Sequence, residues 1–140
     1  MESKLRPDRE RSILGAFYAV YNYYGYGLAE SVYSGALAYE LVDRGHTVLR
    51  ELAVDVRYKG RHVAWQRLDM VVDERIILEI KATEILPRFA ARQLINYLHV
   101  TSFHLGFVLH FGPEPRFQRL IDSQKRPLVH ASQQTGRSER

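Results

Sequence analysis

The 140-residue sequence contains no cysteine. That excludes a disulfide framework, thiolate zinc sites, iron–sulfur clusters and cysteine nucleophiles together. It has no apolar run near the roughly 18 residues that cross a bilayer. The N-terminal MESKLRPDRERS mixes both charge signs and lacks the apolar stretch of a secretory leader. No membrane partner is expected, and a soluble cytoplasmic protein is the working assumption. No repeat or linker divides the chain, so one domain is expected. What is present is ordinary globular material, 46% hydrophobic and 26% charged, which excludes global disorder and collagen-like structure. The net charge is +4, and sixteen of the twenty basic residues are arginine. That balance permits a nucleic-acid partner without requiring one, and a solvated surface is the simpler reading of charge alone.

Hydrophobic periodicity orders the chain. Ile13, Leu14, Phe17, Tyr18, Tyr21 and Tyr24 recur at helical spacing, which predicts a helix from Arg9 to Tyr24. Val32, Tyr33, Ala36, Leu37 and Leu41 predict a second, from Leu28 to Arg44, with Gly45 at its C-cap. The period then changes to two. Leu52, Val54, Val56 and Tyr58 alternate with polar neighbours as in a half-buried strand. Lys59-Gly60 is a turn signal. Strands follow over His62–Val72 and Arg75–Ala82, close enough to pair antiparallel. Pro87 is expected to open a helix over Arg88–Val100. Leu105–Phe111 is apolar at almost every position and reads as a central strand, and residues 116–121 as a short edge strand. The expected organisation is an arm (1–8), one domain (9–121) and a polar, disordered tail (122–140). The order α, α, β, β, β, α, β is satisfied by one mixed sheet with helices on both faces.

The chemistry-bearing cluster is Asp69, Glu79 and Lys81. Glu79 and Lys81 are two apart on a strand and share a face. Whether Asp69 joins them depends on hairpin register. A two-residue turn at Asp73-Glu74 would set Asp69 opposite Leu78, on the wrong face. A three-residue turn, Asp73 to Arg75, would set it opposite Glu79, and this register is the one expected. Converging carboxylates beside an ammonium can be a structural ion pair. They can also seat a hard divalent ion with water and phosphate. Glu30 stands in the first turn of the second helix, where the dipole favours a carboxylate, and Tyr33 shares its face. Gln93 and Tyr97 form a similar pair, four apart. The tyrosines at 18, 21, 23, 24 and 26 read as packing between the first two helices, with base stacking and a homodimer contact as the other uses. Gly25-Tyr26-Gly27 lacks the third glycine and the preceding strand of a dinucleotide fingerprint. The six histidines show no metal-ligand spacing; His104 and His110 read as structural and His99 as a helix-end residue.

The string Gly27-Leu28-Ala29-Glu30-Ser31-Val32-Tyr33, followed by SGALAYELVDRG, RLDMVVDERIILEIKA and QLINYL, resembles the GxxExxY protein family over residues 10–121. That family is placed in the PD-(D/E)XK nuclease superfamily. The resemblance implies a three-layer α/β/α, restriction-endonuclease-like core with αβββαβ order. It makes Asp69, Glu79 and Lys81 the D…ExK motif and Glu30 the helix-borne acid. Gln93 and Tyr97 look like the QxxxY motif of the RecB-like exonuclease branch. The function it implies is metal-dependent hydrolysis of DNA or RNA phosphodiesters. Asp69, Glu79 and the Ile80 carbonyl would bind Mg2+ or Mn2+ directly, and Glu30 through water or a second ion. Lys81 would position the attacking water; Gln93 and Tyr97 would steady the site and the scissile phosphate. The alternative is a non-catalytic nucleic-acid-binding or oligomerising module on the same fold.

Overall fold

The computed structural model describes residues 7–123. The expected arm and tail lie outside these residues except at their inner ends. There, Pro7 and Asp8 already belong to the first helix, α1 (Pro7–Tyr24). Asp122 is buried, and its N–H donates to the His104 carbonyl at 2.9 Å. The remaining elements are α2 (Glu30–Asp43), β1 (Val48–Tyr58), β2 (Arg61–Val72), β3 (Ile76–Lys81), α3 (Ala90–Val100), β4 (Leu105–Phe111) and β5 (Pro115–Ile121). Their order matches the one expected, with a fifth strand on residues 115–121 at the sheet edge.

The sheet runs β1-β2-β3-β4-β5. Only β3 and β4 are parallel, and α3 makes the crossover between them. On one face Ile13, Phe17, Tyr33 and Leu37 of α1 and α2 pack with Met70, Leu78 and Phe107. On the other, Ala90, Leu94 and Leu98 of α3 pack with Val71, Ile77 and Val108. Each fully buried Leu or Phe contributes about 1.5–3 kcal/mol, and burial on both faces explains why β3 and β4 are apolar almost throughout. Gly106 sets how closely α3 lies on the sheet. A Cβ there would stand 3.0 Å from both Leu94 Cδ1 and the Ile77 carbonyl. At the end of α2, Gly45 takes φ +95°, which lets the His46 N–H reach back to the Leu41 carbonyl at 3.0 Å.

Two boundaries and one alternation depart from the sequence expectation, each for a local reason. Strand β1 begins at Val48, because its partner β2 extends to Val72 and pairs with it there. The expected alternation over Leu52–Tyr58 holds only to Val54. A bulge between Val56 and Arg57 interrupts it, Asp55 is buried instead, and Tyr58 is 63% exposed. Helix α3 begins at Ala90 rather than Arg88. Pro87 instead starts a turn whose carbonyl accepts the Ala90 N–H at 3.1 Å.

The β2–β3 turn fixes the register that matters. The Val72 carbonyl accepts the Arg75 N–H at 3.0 Å, with Asp73 and Glu74 between them at φ +56° and +55°. Two adjacent non-glycine residues in the left-handed region are strained. Asp73 is held there by Arg9 Nε at 3.0 Å, His46 Nδ1 at 2.8 Å and the Thr47 N–H at 2.9 Å. Burial alone would raise its carboxyl; the bonds from His46, Thr47 and Arg9 together hold it below the usual carboxylate range. The resulting pairs are Val72 with Ile76, Val71 with Ile77 and Met70 with Leu78. This is the three-residue register expected from the sequence.

Candidate active site

Continued by one residue, that register sets Asp69 opposite Glu79. The ladder between β2 and β3 ends at Met70. Beyond it β2 stays paired with β1 alone, and a side chain replaces the missing strand carbonyl: Asp69 Oδ2 accepts the Ile80 N–H at 2.9 Å. Glu79 follows on the same face, only 5% exposed. Its Oε2 lies 3.9 Å from Lys81 Nζ. Its Oε1 is buried and accepts no hydrogen bond from the described residues. An orphan carboxylate oxygen in a dry place is costly. Burial first, then the Asp69 charge, push the Glu79 carboxyl up to about 8; Lys81 opposes the rise and Glu30 adds to it.

Glu30 reaches the same cluster from the opposite layer. It opens α2, and its carboxyl is raised by burial and then by Asp69, against the pull of Lys81. Tyr33 does not face the cluster. Its ring is fully buried and stacked 4.4 Å from Phe111. Its hydroxyl accepts the Leu28 N–H at 3.1 Å and donates to the Gly25 carbonyl at 2.5 Å. The ExxY spacing therefore places an acid at the helix start and, one turn on, the side chain that pins the loop delivering it.

Helix α3 supplies the far wall. Tyr97 is mostly buried and its phenol is pushed up to about 12, by burial and then by the charges of Glu79 and Asp69. It stays a neutral donor at any ordinary pH. Gln93 is exposed and shares a cavity with Lys81. The structure thus brings Asp69, Glu79, Lys81, Glu30 and Tyr97 into one electrostatic cluster, with Gln93 at its margin. His110, opposite Lys81 on β4, is buried with Nε2 2.8 Å from the Thr83 carbonyl, a structural bond as expected. His99 sits in the last turn of α3, 3.5 Å from Asp122.

One residue of the cluster escaped the sequence reading. Gln66 Nε2 donates to Tyr97 Oη at 3.2 Å. Gln66 precedes Asp69 by three residues, and an undistorted strand would point the two to opposite faces. Strand β2 has left β3 by then, and its partner β1 carries Glu51 at φ +54° opposite this stretch.

Chemically, the cluster is a set of oxygen donors with one ammonium. Among the described residues no three His, Asp or Glu side chains form a ready-made cation cage. Magnesium needs less, since one or two carboxylates often hold it while water and phosphate complete the shell. The unpartnered Glu79 Oε1 and the all-oxygen character of Asp69, Glu79, Glu30 and the Ile80 carbonyl fit such an ion.

Among the described residues no helix is long and apolar enough to cross a membrane. No curated protein and no solved structure matches the chain significantly. Residues 7–120 match the profile of the PD-(D/E)XK nuclease superfamily, a span holding every residue of the cluster. Nucleases of this superfamily act on nucleic acids and generally use divalent metals. Sheet order, site chemistry and this match agree: the chain belongs to the PD-(D/E)XK nuclease superfamily.

Proposed function

We propose that this protein is a divalent-metal-dependent nuclease that hydrolyses phosphodiester bonds of DNA or RNA at the Asp69–Glu79–Lys81 cluster. The observation that carries the reading is the buried, unpartnered Glu79 Oε1 beside a second carboxylate and an ammonium. A fold has no reason of stability to keep that oxygen unsatisfied, whereas a hard cation would satisfy it. The Glu30–Tyr33 arrangement and the Gln93–Tyr97 spacing support a finer place in the GxxExxY group and the QxxxY branch.

In this reading Asp69, Glu79 and the Ile80 carbonyl hold Mg2+ or Mn2+, and Glu30 acts through water or a second ion. What the bound cation supplies is a more acidic water and charge compensation at a phosphoryl oxygen. Lys81 donates to the attacking water and offsets charge developing on the phosphoryl group. Tyr97, kept protonated, and Gln93 donate to the substrate phosphate and hold it in line. The water gives one proton to solvent as its oxygen bonds to phosphorus, the bond from phosphorus to one sugar oxygen breaks, and solvent protonates the departing oxygen.

The test is cleavage of single- and double-stranded DNA and RNA with Mg2+ or Mn2+, and with chelator. Metal-dependent cutting that falls at least ~100-fold in Asp69→Ala and Lys81→Ala supports the reading. Activity surviving both changes would be a contaminant's. Salt-sensitive nucleic-acid binding in chelator, with no cutting under any metal, would favour a binding module instead.

A further inference from the structure

We propose that the cavity beside Lys81 seats one unpaired nucleotide of the substrate strand, with its base stacked on Phe89. The inference rests on the nuclease reading only for what happens at the neighbouring phosphate.

The cavity holds about 380 Å3 and is lined by Lys81, Pro87, Phe89, Arg92, Gln93 and Asn96 among others. Lys81 and Gln93 also belong to the candidate active site, so the two spaces share a wall. Phe89 is 74% exposed, and Ile85 on the same connection is 79% exposed. A large apolar side chain held out in water beside a polar site calls for an apolar partner. The Phe89 backbone is fixed, since its carbonyl accepts the Gln93 N–H at 2.7 Å. The ring therefore stands on the rigid start of α3 rather than on a loose loop.

Positions 89, 92, 93 and 96 fall on one helical stripe. Along it lie an aromatic face, a guanidinium and two carboxamides, with the Lys81 ammonium across the cavity. Those groups match a nucleotide part by part. Base can stack on the ring, phosphates can meet Arg92 and Lys81, and Asn96 offers both a donor and an acceptor to a base edge. A base inside a duplex has both faces covered by its neighbours, so the ring selects a single strand, an overhang or a frayed end.

The experiment compares wild type with Phe89→Ala and Phe89→Trp, on a labelled single strand and a blunt duplex. Binding is measured in chelator and cleavage with Mg2+. Phe89→Ala is expected to weaken single-strand binding roughly 5- to 100-fold, the range of one lost base–aromatic stack, with less effect on duplex binding and an unchanged Tm. Phe89→Trp is expected to retain binding, and its added indole fluorescence to be quenched by the single strand. Equal losses on both substrates, or no loss on either, would overturn the proposal. If wild type cuts and Phe89→Ala binds and cuts single strands normally, this inference falls while the nuclease reading stands. If wild type never cuts, yet Phe89→Ala loses single-strand binding, the nuclease reading falls and the nucleotide site remains.

Discussion

Asp69 Oδ2 accepts the backbone N–H of Ile80 at 2.9 Å, where β2 and β3 cease to pair. The carboxylate does two jobs, capping a strand end and charging a site. Asp69→Asn keeps an acceptor oxygen and removes the charge. We expect a folded protein whose cleavage falls at least ~100-fold, with a Tm at pH 8 equal to or above wild type. A lower Tm together with full activity would mean that Asp69 is structural only.

Glu79 sets a pH dependence whose sign is unusual for a carboxylate. Its folded value, about 8, lies above the ordinary 4.5, so the native state holds this proton more tightly than the unfolded chain. The contribution to stability is complete below 4.5 and is lost as pH rises towards 8. Glu79→Gln escapes that loss. The variant should match wild type near pH 4.5 and exceed it by on the order of 1–3 kcal/mol at pH 8 to 9, or roughly 3–10 °C in Tm. Thermal melts across this range, without metal, read the gap directly.

Metal binding should follow the same proton. A cation entering at Glu79 displaces it, so affinity for Mg2+ should climb with pH and level off above about 8. Calorimetric titration at pH 6, 7, 8 and 9 checks this, and proton release should shrink over the same range. Pre-saturating Mg2+ should also raise the wild-type Tm and close the gap to Glu79→Gln. A pH-independent affinity would place the ion elsewhere.

Asp73 behaves in the opposite sense. Its carboxyl is held below the ordinary 3.8, so its stabilisation is present above 3.8 and lost as pH falls through the folded value. Asp73→Ala removes the bonds to Arg9, His46 and Thr47 that hold a strained turn. A loss of about 2–3 kcal/mol is expected at pH 7, shrinking in acid, and it is measured by urea melts at both pH values.

Tyr33→Phe keeps the ring packed on Phe111 and deletes the hydroxyl bridging Gly25 and Leu28. We expect about 1–2 kcal/mol of lost stability and a fall in kcat without a matching rise in KM, because Glu30 is less firmly placed. Stability loss with unchanged kinetics would confine Tyr33 to the fold.

The central cluster was legible because it depends on short-range facts. Glu79 and Lys81 share a face by parity, and a three-residue turn at Asp73 sets Asp69 across from them. Other parts depend on departures from regular geometry, which residue types alone do not announce. Gln66 joins Tyr97 where β2 has left β3 and β1 carries Glu51 at φ +54°. Asp55 is buried where a bulge sets His62 opposite Arg57, and both side chains bond to its carboxylate, at 2.6 and 2.7 Å. The stripe of Phe89, Arg92 and Asn96 had the right spacing, but its meaning came from the cavity it borders, where the start of α3 and Pro87 lie beside Lys81 at the end of β3.

The ladder between β1 and β2 has ten partner pairs, and that between β2 and β3 has three. Mechanically the sheet is two plates joined by a narrow seam, and amides along that seam should exchange sooner than those of β4. Asp69 stands on one side of that seam, and Glu79 and Lys81 on the other. Any force that flexes one plate against the other, such as a polymer threading past, changes the spacing between them before it disturbs the core.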